Sequence, residues 1–110
     1  MNIRYTKSYD NTIKKLKRHN KENENNKIII ELIKNSTDFL ELSLNPISKM
    51  YGFEQLRHEL NEFYSFNLCK NGGVIRLIIK PSNLDFIDLV YISYKHYNDF
   101  NKERVIYYDE

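Results

Sequence analysis

The chain has 110 residues, 41% of them hydrophobic and 14% aromatic, with a formal net charge of +2. This length fits a single domain over 1–110 with a small core, and 98–110 reads as a C-terminal extension. No stretch reaches the roughly 20 apolar residues of a membrane span, the first residues lack a signal-peptide core, and the lone Cys69 allows no internal disulfide, so a cytoplasmic protein with no membrane partner is expected.

The chain opens with Ile3 and Tyr5, extended by Ser8, alternating with polar neighbours as in a short strand. Asp10 or Asn11 can then cap a helix by accepting free backbone N–H groups. Ile13, Leu16 and His19 follow at helical spacing, with Lys14, Lys15, Lys17 and Arg18 on the other side. Residues 1 to 27 hold eight Lys/Arg against three Asp/Glu, a net of +5, and the remainder holds nine against twelve, a net of −3. The basic end suits RNA or an acidic protein partner, or is a solvated helix face.

Asn20 to Asn26 reads as a polar turn, and a second helix is expected from about Asn26 to Lys34 with Ile28, Ile29, Leu32 and Ile33 as its apolar stripe. Helices this short need a sheet to pack on. In Asp38 to Tyr51, Leu40, Leu42 and Leu44 alternate like a strand that Asn45-Pro46 breaks. Gly52 to Leu60 is a helical turn or an extended approach to the next strand. From Phe63 a three-stranded meander is predicted, turning at Asn71-Gly72-Gly73 and at Pro81-Ser82-Asn83. Val105 to Tyr108 is an edge strand or part of a partner contact. The order β, α, α, then antiparallel sheet indicates an α+β fold, with the N-terminal strand and two helices packed on one face of a small antiparallel sheet.

His19, His58 and His96 are widely separated, and no Cys pair or glycine-rich phosphate loop accompanies them, so no metal or cofactor is expected. Glu54, Arg57, His58, Arg76, His96 and Tyr97 remain. Arg76 breaks an apolar strand, which places it in a polar groove or in an ion pair. Carboxylate, guanidinium and imidazole are the groups a metal-free RNA cleavage needs: a base for the 2′-OH proton, a cation near the phosphate and an acid for the leaving 5′-oxygen.

Four segments carry a family resemblance: Glu54-Gln55-Leu56-Arg57-His58, Phe63-Tyr64-Ser65-Phe66, Arg76-Leu77-Ile78-Ile79 and His96-Tyr97. Together with the first strand leading into a lysine-rich helix, they resemble the RelE-superfamily toxins of type II toxin–antitoxin pairs, most of all the YoeB-like mRNA interferases. The resemblance spans Ile3 to Tyr97 and implies a RelE/ParE-like fold and a ribosome-dependent endoribonuclease. It implies Glu54 as general base, Arg76 as stabiliser of the phosphorane charge, His96 as general acid and Tyr97 as the residue that orients the mRNA. Arg57 and His58 would be auxiliary phosphate contacts; Lys70, Lys80 and Lys95, read from their charge and not from the resemblance, are further RNA-binding cations. Implied partners are a cognate antitoxin, the ribosome and mRNA, in a homodimer or a toxin–antitoxin hetero-oligomer. The chain departs from the family at Phe66 and Asn67, where basic residues usually stand. The alternatives are a ParE-like toxin that binds DNA gyrase and a non-catalytic binding module of the same fold.

Overall fold

A computed structural model describes residues 1–70, 72–83 and 85–108. Among the described residues the architecture is α+β, with four α-helices and a five-stranded sheet. The strands are β1 (Asn2–Tyr5), β2 (Glu54–Gln55), β3 (Tyr64–Asn67), β4 (Arg76–Asn83) and β5 (Phe86–Ser93). The helices are α1 (Lys7–Ile13), α2 (Asn20–Asn35), α3 (Phe39–Leu44) and α4 (Pro46–Met50). The strand order is β1-β5-β4-β3-β2, antiparallel except where β1 lies parallel to β5, so the sheet is mixed and not purely antiparallel.

Alternation along the strands divides two apolar clusters between the faces of the sheet. Phe66, Leu68, Leu77, Ile79, Leu89 and Ile92 join Tyr9 and Leu16 and, from α2 and α3, Ile29, Ile33 and Leu42 on the helix side. Leu56, Phe63, Ile78, Val90 and Phe100 form a second cluster on the other face, with Leu60, Tyr91, Tyr97 and Val105 against it. The helices therefore gather on one face as expected. The opposite face is covered in part by 56–63 and by the segment after Tyr97.

Several local expectations are corrected. The first helix begins at Lys7, and its cap is Thr6, whose Oγ1 accepts from Tyr9 N at 2.9 Å and donates to Val90 O at 2.9 Å. Ser8 thus belongs to α1, not β1. Residues 20–26 are helical because two asparagines bond across the core: Asn25 Nδ2 donates to Leu68 O at 2.8 Å, and Asn26 Nδ2 to the Tyr9 hydroxyl at 2.9 Å. The Leu40/Leu42/Leu44 alternation is a helix, capped by Asp38 accepting from Glu41 N at 2.8 Å, with Leu42 buried and Leu40 and Leu44 exposed.

Pro81-Ser82-Asn83 continues β4 and is no turn. β3 stops pairing at Ile79, so Pro81 falls where β4 has lost a neighbour and a missing N–H costs little. Glu54–Gln55 settles the open reading of 52–60 as a short strand followed by a 3₁₀ turn over His58–Leu60. In the connection between β3 and β4, Asn71 lies outside the described residues, as do 109 and 110 of the tail. Val105 to Tyr108 is not a strand; Ile106 O instead accepts from Lys7 N at 2.9 Å and Ser8 N at 3.2 Å, tying the tail to the start of α1.

Candidate active site

The helix-free face carries a polar row set by strand register. Glu54 lies opposite Ser65, Ser65 opposite Ile78, and Ile78 opposite Tyr91. The neighbouring row is Asn67, Arg76 and Ser93. Directly opposed residues share a face of the sheet, so Glu54, Ser65 and Arg76 point to the same side.

Beyond β5 the chain turns sharply and brings His96 and Tyr97 back over that side. Asp99 holds the turn, accepting from Ser93 Oγ at 2.5 Å and from Tyr94 N at 2.9 Å. Ser93 Oγ in turn accepts from Tyr97 N at 2.9 Å, and His96 N donates to Val74 O at 3.2 Å. Both His96 (φ 51°) and Tyr97 (φ 74°) adopt left-handed backbone, which costs a non-glycine residue about 1 kcal/mol or more. The network around Ser93 and Asp99 offsets that strain.

The Tyr97 hydroxyl donates to Glu54 Oε1 at 3.2 Å and lies 2.6 Å from Ser65 Oγ. With its proton given to the carboxylate, Tyr97 accepts from Ser65, so the three groups form one directed chain. Burial pushes the Tyr97 phenol above its ordinary value of 10.0, the Glu54 charge adds to that, and the Ser65 bond and the Arg76 charge work against it. Tyr97 is therefore a neutral hydrogen-bond donor at neutral pH.

Glu54, Arg57, His58, His96 and Tyr97 line a cavity of about 430 Å³, with Leu56 and Leu60 as apolar wall. His58 also has left-handed backbone (φ 57°). The His96 and Tyr97 rings lie 4.8 Å apart at 52°. Five of the nine site residues expected from sequence thus converge. Arg76 stands beside this cavity, not in its lining. Its Nη1 donates to Asn67 Oδ1 at 3.0 Å, to Gly73 O at 3.0 Å and to Ile75 O at 3.3 Å.

The three lysines are dispersed. Lys70 lies with its Nζ 5.1 Å from the Tyr51 ring centroid and lines a different cavity, beside the start of α2. Lys80 pairs with Glu62 at 3.9 Å and rests over Phe63. Lys95 is exposed on the turn just before His96. Sequence reasoning missed Ser93 and Asp99, which position the turn; the only available signal was the pair Asn98-Asp99 after a strand, a common turn composition. Among the described residues no group of three His, Cys, Asp or Glu is close enough to hold a metal ion, and no helix is long and apolar enough to cross a membrane. No protein-family model, curated protein or solved structure matches the chain.

Proposed function

We propose that this chain is the toxin of a type II toxin–antitoxin pair, a ribosome-dependent endoribonuclease of the RelE/YoeB kind acting in the cytoplasm. The observation that carries the reading is the meeting of Glu54 from β2 and His96-Tyr97 from the turn after β5 around one cavity on the helix-free face. Arg57 adds a cation and His58 an imidazole to the same wall, which also carries the Glu59 carboxylate.

In this reading an RNA 2′-oxygen attacks the adjacent phosphorus while its proton passes to the Glu54 carboxylate. The bond from phosphorus to the 5′-oxygen breaks, and protonated His96 gives that oxygen its proton, leaving a 2′,3′-cyclic phosphate and a 5′-hydroxyl. Tyr97 holds the Glu54 oxygen in place through its hydroxyl and offers its ring to a base. Arg76, beside the cavity, lowers the energy of the charge that develops on the phosphorane oxygens. Few groups suffice because the ribosome would position the mRNA, and a cognate antitoxin would keep the toxin silent.

The test is induced expression followed by primer extension on cellular mRNA. Breaks at A-site codons that vanish in the Arg76→Ala/His96→Ala double variant, with growth restored and the fold intact, support the reading. Intact mRNA with DNA damage points to gyrase binding instead, and a fully toxic double variant refutes this active groove.

A further inference from the structure

A second charged hollow lies on the helix side of the turn that carries His96. Lys14, Lys15, Arg18 and His19 line a cavity of about 440 Å³ together with Tyr94. Among the described residues no carboxylate lines it. The four basic side chains are exposed, and the Tyr94 ring gives the hollow an anchored wall. The Tyr94 hydroxyl donates to Thr12 O at 2.8 Å, and Thr12 Oγ1 accepts from Ile92 N at 2.9 Å, so ring, helix and strand move as one unit. Lys15 Nζ sits 5.8 Å from the centre of that ring, and the His19 ring lies 5.9 Å from it at a 36° tilt.

Three permanent cations at one opening repel one another, and an anion placed there relieves that repulsion. A flat aromatic platform among lysines and arginine is the pairing that single-stranded nucleic acid favours, with phosphates on the cations and bases on the ring. We infer that the Lys14/Lys15/Arg18/His19/Tyr94 hollow is a second RNA-binding site that grips the phosphate backbone outside the Glu54 cavity.

The choice of RNA over an acidic protein rests on the proposed nuclease reading, through continuity of the surface. Tyr94 belongs to this hollow, while His96 and Tyr97 belong to the Glu54 cavity. Three residue steps separate Tyr94 from Tyr97, at most about 11 Å of backbone, and exposed Lys95 stands between them. A strand leaving the Glu54 cavity past exposed Lys95 would have the Lys14/Lys15/Arg18 opening within reach along this short stretch.

The experiment measures fluorescence anisotropy of a short, 2′-O-methylated and hence uncleavable single-stranded RNA with the full chain across a salt series. Lys14→Glu/Lys15→Glu/Arg18→Glu is compared with wild type and with the Gln triple variant, each checked for fold by circular dichroism. The Glu triple variant is expected to weaken binding by about tenfold or more and to flatten the log–log salt slope by about 2, with the Gln variant between. Equal affinity and slope in wild type and Glu variant overturn the inference. So does displacement of the RNA by polyglutamate as readily as by unlabelled RNA, which identifies an acidic protein as the partner. A chain that binds in this charge-dependent way but leaves cellular mRNA uncut refutes the nuclease reading and keeps the second site.

Discussion

The Tyr97 hydroxyl donates to Glu54 Oε1 at 3.2 Å across 43 positions of sequence, joining a two-residue strand at one sheet edge to the turn that follows β5. Because Ser65 Oγ completes the chain at 2.6 Å from the interior of β3, the carboxylate has one preferred orientation. Tyr97→Phe removes the link and leaves the buried Ser65 hydroxyl without that partner. The expected cost is about 1–2 kcal/mol of stability in urea denaturation, with a fall in the proposed mRNA cleavage larger than that loss of folded protein explains. Cleavage at the wild-type rate would show that the phenol does not orient Glu54.

His96 allows fold and chemistry to be separated. Its φ of 51° suits glycine, so His96→Gly exchanges relief of strain against added freedom in the unfolded chain. Stability should change by less than about 1 kcal/mol while the proposed mRNA cleavage is lost. A glycine variant that still cuts mRNA removes His96 as the acid, and this result is clean because the variant remains folded.

Asp99 does not line the Glu54 cavity but fixes the turn that reaches it. Asp99→Ala takes away the bonds to Ser93 Oγ and Tyr94 N, releasing two residues held at positive φ. Amide exchange at residues 94–97 should rise and cleavage should fall, whereas Asp99→Asn, which keeps one acceptor oxygen, should recover part of both. Unchanged exchange in the alanine variant would show that the turn is held by other contacts.

The strands were readable where one face is buried. Phe66, Leu77, Ile79 and Ile92 alternate or run together with other apolar residues, most of them β-branched or aromatic, and these are the positions that fill the helix-side core. Helix α3 was hidden because six residues contain less than two turns: its leucines at 40, 42 and 44 satisfy a period of two, though 40 and 44 share the solvent side of a helix. The first turns of α2 were hidden for a different reason. Asn25 and Asn26 look like loop residues until Leu68 and Tyr9 arrive from elsewhere to receive their bonds. At the site, family-like segments pointed to Glu54, His96 and Tyr97, but Ser93 and Asp99 act only through the three-dimensional turn and carry no chemical signature along the chain. Lys70 and Lys80 offer the sequence reader only their charge, and charge does not encode which end of a strand or which face a lysine occupies.

Alkaline titration tests the core beneath α1. Burial pushes the Tyr9 phenol up from 10.0 to about 12 despite its bond from Asn26. The folded state keeps this proton at pH values where the unfolded chain has lost it, so the stabilisation is fully present below pH 10 and is lost as pH rises towards 12. For a side chain 4% exposed this amounts to about 2–3 kcal/mol. Tyr94, also raised to about 12 by burial but more accessible, adds a smaller contribution of the same sign. Urea denaturation between pH 9 and pH 12 should therefore show a shallower decline in Tyr9→Phe than in wild type, with the window set by the Tyr9 shift. Parallel curves would mean that the phenol ionises without unfolding.

The segment after Tyr97 has a structural task that the helix-side core does not share. Phe100 packs its ring 5.2 Å from Phe63 and 5.3 Å from Tyr91, and is 9% exposed. It closes the small cluster beneath the Glu54 row, where Ile78 and Val90 have no helix to cover them. Phe100→Ala opens a cavity there and should cost about 3–5 kcal/mol, whereas Phe100→Leu, which retains most of the volume, should cost under about 1.5 kcal/mol. Of a total of roughly 5–15 kcal/mol for a domain, the alanine loss is large enough to lower the melting temperature markedly. Because Tyr91 also donates to Asp99 O at 3.0 Å, the same variant should loosen the 93–99 turn and increase amide exchange there before global unfolding. An alanine variant as stable as wild type would show that the tail merely rests on the sheet and that the second cluster is held by Leu56 and Phe63 alone.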